Sequence, residues 1–412
     1  MRWRISLLVS AAIAISYLDR QTLPVAVKAI SHDIPLSNEQ FSFLQSAFLL
    51  AYAFMYAGGG KLADVLGTRR GFFVIMLFWS LACASHSLAL TFWMLAGSRF
   101  LLGLGEGGGF PAATRAVAEW FPTKERATAM GIINAGTAIG AVVAPPMIAG
   151  ILLLANWRWI FVVAGLVGLV WAISWKVYYR LPDNRETVAI SAEQKSSNVN
   201  FGWFELLQIR ETWALVLAKF LSDAAWYFYL FWLPKYLYDA RGFDIKAVGK
   251  FAWIPYAAAG FGCLLGGGFS SYLVRKGAAL GTARKVALGA SAAVMPFILL
   301  VPHVRVSWAL ALFSLAYFGQ QSWSTLVMVL PTDLFPREVV GSVAGLVGFG
   351  GAMGGIAFGE LVGYLLDQGA GYGPVFALAG SFHVSAFIII LIAIPVVGPI
   401  LLPPAVRYEG VI

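Results

Sequence analysis

Charge is what this sequence has least of. Only 12% of its 412 residues are Asp, Glu, Lys or Arg, while 59% are hydrophobic. A water-soluble domain carries about 25% charged residues, so a soluble fold is excluded, although the length alone would allow two or three soluble domains. Cysteine is nearly absent. Cys83 and Cys263 both fall inside apolar runs, which excludes a disulfide framework. The four histidines, His32, His86, His303 and His383, show no metal-ligand spacing. There is no legible nucleophile–base pair, metal cluster or Gly-rich phosphate loop, which argues against an enzyme and against a bound cofactor. A re-entrant, filter-like segment is also missing, which argues against a channel.

What is abundant points to a lipid bilayer. The chain has 44 Gly, 15 Trp and 30 Phe, and abundant glycine and interfacial aromatics are habits of membrane helices. The net charge of +9 would suggest nucleic acid in a soluble protein. Here the cations sit mostly between apolar segments, so they set orientation in a membrane instead, and no nucleic-acid partner is expected. The basic start Met1–Arg4 and the apolar Ile5–Ser16 have the form of a signal peptide. The run nevertheless continues past Asp19-Arg20 into Leu23–Ile30, which makes one full-length span with a charged pair inside it.

A spanning helix needs about 20 mostly apolar residues. Apolar runs between polar breaks predict twelve spans: near 5–29, 40–61, 71–89, 92–118, 128–154 and 158–179, then near 211–237, 246–273, 284–302, 307–331, 339–366 and 374–402. With the N-terminus inside, most of the 29 Lys and Arg fall in cytoplasmic segments, so both termini are expected to be cytoplasmic. The polar stretch 181–210 contains Asp183-Asn184-Arg185-Glu186 and Glu193-Gln194-Lys195 and has nothing to build a core from. It reads as a cytoplasmic linker between a six-helix bundle at 1–180 and another at 211–412, the latter ending in a short tail.

An internal repeat supports that division. Phe121-Pro122 and Gly131, Gly136 and Gly140 of span 5 recur 214 positions later as Phe335-Pro336 and Gly345, Gly350 and Gly354 of span 11. Parallel halves of this kind place a substrate site between them near the bilayer midplane.

Charged side chains inside the spans are few, and each costs at least ~2.5–3.5 kcal/mol at mid-membrane. The acids are Asp19, Glu106, Asp223 and Glu360, and the bases are Arg20, Arg99, Arg115 and Lys219. Asp19 and Arg20 are adjacent and point about 100° apart on a helix, so each needs a cavity or a partner on another helix. The planar fork of Arg20 suits a carboxylate. Arg99 and Glu106 lie two turns apart on one face of the Gly-rich span 4. An acid buried there is a candidate to take up a proton, and so is Asp19. The blander reading of all four is a structural ion-pair network. In span 2, Gln45, Tyr52 and Tyr56 share a face, where ordinary packing is the rival reading. Lys219 and Asp223 are i,i+4 in span 7 and form either a structural or a coupling pair. Trp226 and Tyr229 follow and offer an aromatic face and a hydroxyl to a ligand. Gln320-Gln321-Ser322-Trp323-Ser324-Thr325 at the centre of span 10 cannot all face lipid; Gln321 and Ser324 are the chosen cavity residues. Asn134 and Thr137 in span 5 are weaker candidates. Arg115 and Glu119, with Lys124, Glu125 and Arg126, read as gate or structural ion pairs at the cytoplasmic end of span 4.

The stretch Gly60-Lys61-Leu62-Ala63-Asp64-Val65-Leu66-Gly67-Thr68-Arg69-Arg70 resembles the signature loop of the major facilitator superfamily. Its second-half counterpart, Gly267 to Lys276, has Ser271 where the acid would be. Tyr17-Leu18-Asp19-Arg20, Arg99-x-x-x-Gly103-x-x-Glu106 and Glu119-Trp120-Phe121-Pro122-Thr123-Lys124-Glu125-Arg126 are similar to the anion:cation symporter branch. Lys219-Phe220-Leu221-Ser222-Asp223-Ala224-Ala225-Trp226, Phe251-Ala252-Trp253-Ile254-Pro255 and Gln321 most resemble its bacterial hexuronate transporters. The resemblance implies a monomeric inner-membrane symporter that imports a sugar acid with protons, with Glu106 as the main coupling acid, Arg99 modulating it and Tyr52 at the substrate. Some aldonate transporters of the branch carry Asn at the position of Gly348, so this chain departs from an aldonate pattern. Transport or export of another organic anion is the alternative, since fold alone does not choose substrate or direction. A polytopic membrane enzyme or channel is the remote one.

Overall fold

The computed structural model describes residues 2–121, 123–180, 203–335, 337–398 and 400. Within these, the side chains of 56–65, 118, 123–128, 203–204 and 337–338 are left undescribed. Most of the expected linker, 181–202, and the tail from 401 onward therefore lie outside the described residues, as do the side chains of Tyr56, Lys61, Asp64, Lys124, Glu125 and Arg126.

All twelve spans are helical. Span 1 is Arg2–Asp33. Spans 2 and 3 are one helical run, Asn38–Ser85, broken only at Gly67, where φ is +72°. That is left-handed backbone, which glycine alone enters without strain. The expected loop between these spans is thus a single-residue kink, a correction to the sequence reading. Span 4 is Phe92–Gly107 followed by Gly109–Trp120, span 5 is Thr123–Leu154 and span 6 is Arg158–Tyr178. A short turn of helix at Trp203–Leu206 precedes span 7, Arg210–Arg241. Span 8 is Ile245–Phe251 with Trp253–Arg275, and span 9 is Leu280–Ala293 with a 3₁₀ extension at Met295–His303. Spans 10, 11 and 12 are Val306–Leu334, Arg337–Asp367 and Tyr372–Ala393. Span 12 stops short of the expected 402, because Pro395 cannot donate to a continuing helix.

Among the described residues, eight stretches are long and apolar enough on their own to cross a membrane. Spans 1, 2, 4 and 10 are not among them, and these carry Asp19 and Arg20, Gln45 and Tyr52, Arg99 and Glu106, and the Gln320–Thr325 polar run. Their polarity faces inward, where Asp19, Arg20, Gln45, Arg99, Glu106 and Gln320 are all buried.

The glycine repeat now has a physical cause. A Cβ at Gly136 or Gly140 of span 5 would strike the backbone carbonyls of Ser10 and Ala14 in span 1. A Cβ at Gly350 or Gly354 of span 11 would meet those of Val216 and Phe220 in span 7. The same close approach of first and fifth spans is built twice, as expected where small residues let membrane helices touch. Span 4 likewise lays Gly105 on Trp79, and span 10 lays Gly319, 214 positions on, against Val294 and Met295.

The halves meet along the middle of the molecule and at the end away from the N-terminus, called here the outer end. The Asp367 carboxylate accepts from the backbone N–H of Asn38 (3.0 Å), the Asn38 amide (2.7 Å) and the backbone N–H of Glu39 (2.8 Å). An acid from span 11 thus caps the N-terminus of span 2, where the helix dipole favours it. The Tyr238 hydroxyl donates to the Val25 carbonyl at 2.7 Å. Nearer the centre, the Gln21 amide donates to the Leu230 carbonyl (3.1 Å), and the Tyr256 hydroxyl donates to Gln21 Oε1 (3.0 Å).

Candidate functional site

Span 1 can carry charge at its middle because spans 2, 3 and 4 surround it with partners. Arg20 Nε donates to Glu106 Oε2 at 2.8 Å, with both side chains almost completely buried. The Ser16 hydroxyl donates to the same oxygen at 2.6 Å. The guanidinium of Arg20 also lies over the rings of Tyr52 (4.6 Å) and Tyr17 (4.7 Å), with Phe48 at 5.4 Å. Aromatic faces hold a cation without neutralising it. Arg20 Nη2 and Glu106 Oε1 are buried and make no hydrogen bond.

Asp19 points elsewhere, as adjacency required. Its Oδ2 accepts from the Trp79 indole N–H at 3.1 Å, while Oδ1 is buried without a partner. Arg99 is wholly buried, and none of its three nitrogens makes a hydrogen bond. Its charge acts on Asp19, Glu106 and the Cys83 thiol. The cluster therefore holds two cations and two acids with several unsatisfied polar atoms, an arrangement far from a closed structural network.

The second half answers with a different cluster. Lys219 Nζ donates to Asp223 Oδ1 at 2.9 Å and to the Ser324 hydroxyl at 2.8 Å. The Gln320 amide lies 3.5 Å from the same Asp223 oxygen, and Gln320 Oε1 accepts from His383 Nε2 of span 12. The His383 ring packs edge-on to Trp323 (5.5 Å) and its Nδ1 has no partner.

Between the clusters lies a narrow cavity lined from both halves by Tyr17, Thr137, Trp226, Tyr256, Cys263 and Gln321, together with small residues of spans 5 and 8. Tyr17, which lines the cavity, lies within electrostatic reach of both Arg20 and Asp223, and so does Tyr227, the chain neighbour of the lining residue Trp226. Of the expected residues, Arg20, Tyr52, Asp19, Arg99 and Glu106 come together in the first half, and Arg20 touches the ring of Tyr17, which lines the cavity. Trp226 and Gln321 reach it from the second half, and Thr137 reaches it from span 5. Lys219, Asp223 and Ser324 form the cluster beside it.

Two expected residues are not there. Tyr229 is completely buried, stacked on Tyr317 at 5.6 Å with Phe313 at its edge, and its hydroxyl meets nothing. Tyr227, two residues earlier and on the opposite face, lies within electrostatic reach of Asp223, Tyr52 and Arg20 instead. Asn134 is exposed and is not among the cavity-lining residues; its carbonyl accepts from the Thr137 hydroxyl at 2.7 Å. Tyr56 lies outside the described side chains. The sequence reading also missed Trp79, Gln320 and His383. Tyr227 was findable, since Lys219, Asp223 and Tyr227 repeat every four residues on one face. Arg115 and Glu119 pair at 3.1 Å, and Glu119 also accepts from Thr68 and Tyr179. They tie spans 3, 4 and 6 within one half.

Two pseudo-symmetric six-helix bundles with a cavity between them and charged clusters beside it are the architecture of a membrane transporter. The Major Facilitator Superfamily model matches residues 9–359, and the chain belongs to that family. It is a multi-pass transporter and not an enzyme. It is 30% identical over 407 residues to the hexuronate transporter of Escherichia coli (strain K12), covering 95% of this chain and 93% of that one. With the hexuronate transporter of Bacillus subtilis (strain 168) it shares 31% over 394 residues, covering 93% of each. Among solved structures, a bacterial homolog of the human lysosomal transporter Spinster, inward-facing and occupied, superposes with a TM-score of 0.71 at 18% identity, covering 95% of this chain and 94% of that chain.

Proposed function

We propose that the protein imports a sugar acid, most closely a hexuronate, together with protons, across the cytoplasmic membrane of a bacterium. The observation that carries this is the Arg20–Glu106 pair. With the site empty, Glu106 occupies the Nε edge of the guanidinium, while Nη2 is unsatisfied among Tyr17 and Tyr52. A substrate carboxylate binding side-on needs Nε and Nη2 together for its two parallel hydrogen bonds. Protonating Glu106 removes its charge and frees Nε, so proton and anion bind together. Asp19 balances Arg99 in the same way: with both acids neutral, two buried cations remain to hold an anion. The relatives named for hexuronate support the substrate class, and a sugar ring suits Trp226 and Gln321.

The test is uptake of labelled glucuronate or galacturonate into proteoliposomes. Acidifying the outside should stimulate uptake, and a protonophore should abolish accumulation. Uptake indifferent to both overturns the coupling. In a thermal-shift screen, sugar acids should stabilise the protein and lose that effect in Arg20→Ala; undiminished stabilisation removes Arg20 from the site.

A further inference from the structure

The Lys219–Asp223 pair is not absorbed by that reading, and it is built with more care than a helix staple needs. Both side chains are about nine-tenths buried, at 9% and 10% exposed. Lys219 is held from a second helix by Ser324, and Asp223 is approached by Gln320, itself fixed by His383. Asp223 Oδ2 is packed against Gly351 of span 11, where any Cβ would collide with it. Lys219 lies within electrostatic reach of Cys263, and Asp223 within reach of Tyr17, both of which line the cavity. The pair therefore sits directly behind the cavity on the second-half side: Asp223 is one helical turn from Trp226, and Ser324, which holds Lys219, is one turn from Gln321, both of which line it.

We propose that Asp223 sets substrate charge: by cancelling Lys219 it makes the second-half end of the cavity a neutral donor–acceptor pair, which accepts sugar hydroxyls and rejects a second carboxylate. This rests on the sugar-acid reading above. The chemistry follows from the groups present. A polyol has hydroxyls that both donate and accept, and an ammonium beside a carboxylate offers both. A doubly charged aldaric acid would bring its second carboxylate against Asp223, and like charges in a desolvated site repel strongly. Remove the Asp223 charge and Lys219 becomes an uncompensated buried cation, for which that second carboxylate is the natural counter-ion.

The experiment measures binding of glucuronate and of glucarate, which differ by one carboxylate, to purified wild type, Asp223→Asn and the neutral pair Lys219→Gln/Asp223→Asn. Wild type should favour glucuronate. Asp223→Asn should shift the glucarate-to-glucuronate affinity ratio by about tenfold or more toward glucarate, a change of at least 1.4 kcal/mol. The double variant should lose that shift. An Asp223→Asn protein that binds both acids with the wild-type ratio overturns the proposal, and so does a double variant that keeps the shift, because Lys219 then has no part in it. Should Asp223→Asn fail to fold, Asp223→Asn with Gln320→Glu moves the carboxylate to the neighbouring position and must restore the wild-type ratio. A wild-type ratio already in favour of glucarate likewise overturns it. Wild type that binds neither acid instead refutes the sugar-acid reading, a distinct outcome.

Discussion

The two halves share a backbone and differ in what they bury. The glycine contacts fix the correspondence: Ser10 and Ala14 under span 5 match Val216 and Phe220 under span 11. By that register Arg20 corresponds to Trp226, and Glu106, 214 positions before it, corresponds to Gln320. A charge pair in one half has become an indole and an amide in the other. The first-half cluster keeps unsatisfied atoms on Asp19, Arg20, Arg99 and Glu106. In the second half Lys219 and Asp223 are paired and wedged between Ser324 and Gln320. Unsatisfied buried charge is expensive and persists where it is used, which is why the proposed function gives the titrating work to the first half.

That division can be broken experimentally. The largest effect is expected from Glu106→Gln. It should abolish pH-driven accumulation while leaving substrate exchange across the membrane, since a permanently neutral residue frees Arg20 but carries no proton. Exchange that is lost together with accumulation would make Glu106 a structural partner of Arg20. Next, Gly140→Leu and Gly354→Leu should each destabilise the fold by several kcal/mol, because a side chain there meets backbone that cannot yield. Equal losses of thermal stability would sharpen the shared-scaffold claim; a large loss in only one half would break it. A smaller effect, about 1–3 kcal/mol of stability, is expected from His383→Ala, which leaves Gln320 Oε1 without its donor. Its uptake should keep the wild-type pH profile; a shifted profile would place titration in the second half too. Smallest, Asp367→Ala removes a cap worth about 0.5–2 kcal/mol. It should favour the outward-open state, read as faster cysteine labelling at the outer end with little loss of uptake.

Much of this was legible in the chain. Apolar runs located the spans, and the recurring glycines marked the two contacts that superpose the halves. Asp19, Arg20, Arg99 and Glu106 stood out because charge inside a span needs a reason. The failures have one cause, which is that a helix announces its faces but not its neighbours. Tyr229 was chosen for its hydroxyl, although Tyr227 was on the face that Lys219 and Asp223 already defined. His383 looked like an isolated histidine, since nothing in span 12 says that Gln320 of span 10 lies against it. The single-residue break at Gly67 was hidden because basic residues near a span end read as a loop whether or not the helix stops.

The cap that Asp367 places on span 2 has a kinetic meaning as well. If the halves rock as proposed, opening this end must strip that carboxylate from the amides of Asn38 and Glu39 and leave them to water. Their hydrogen exchange is then a clock on the transport cycle, running only while the outer end is open. Ligand that holds the cavity shut would slow these two amides while leaving the rest of span 2 unchanged.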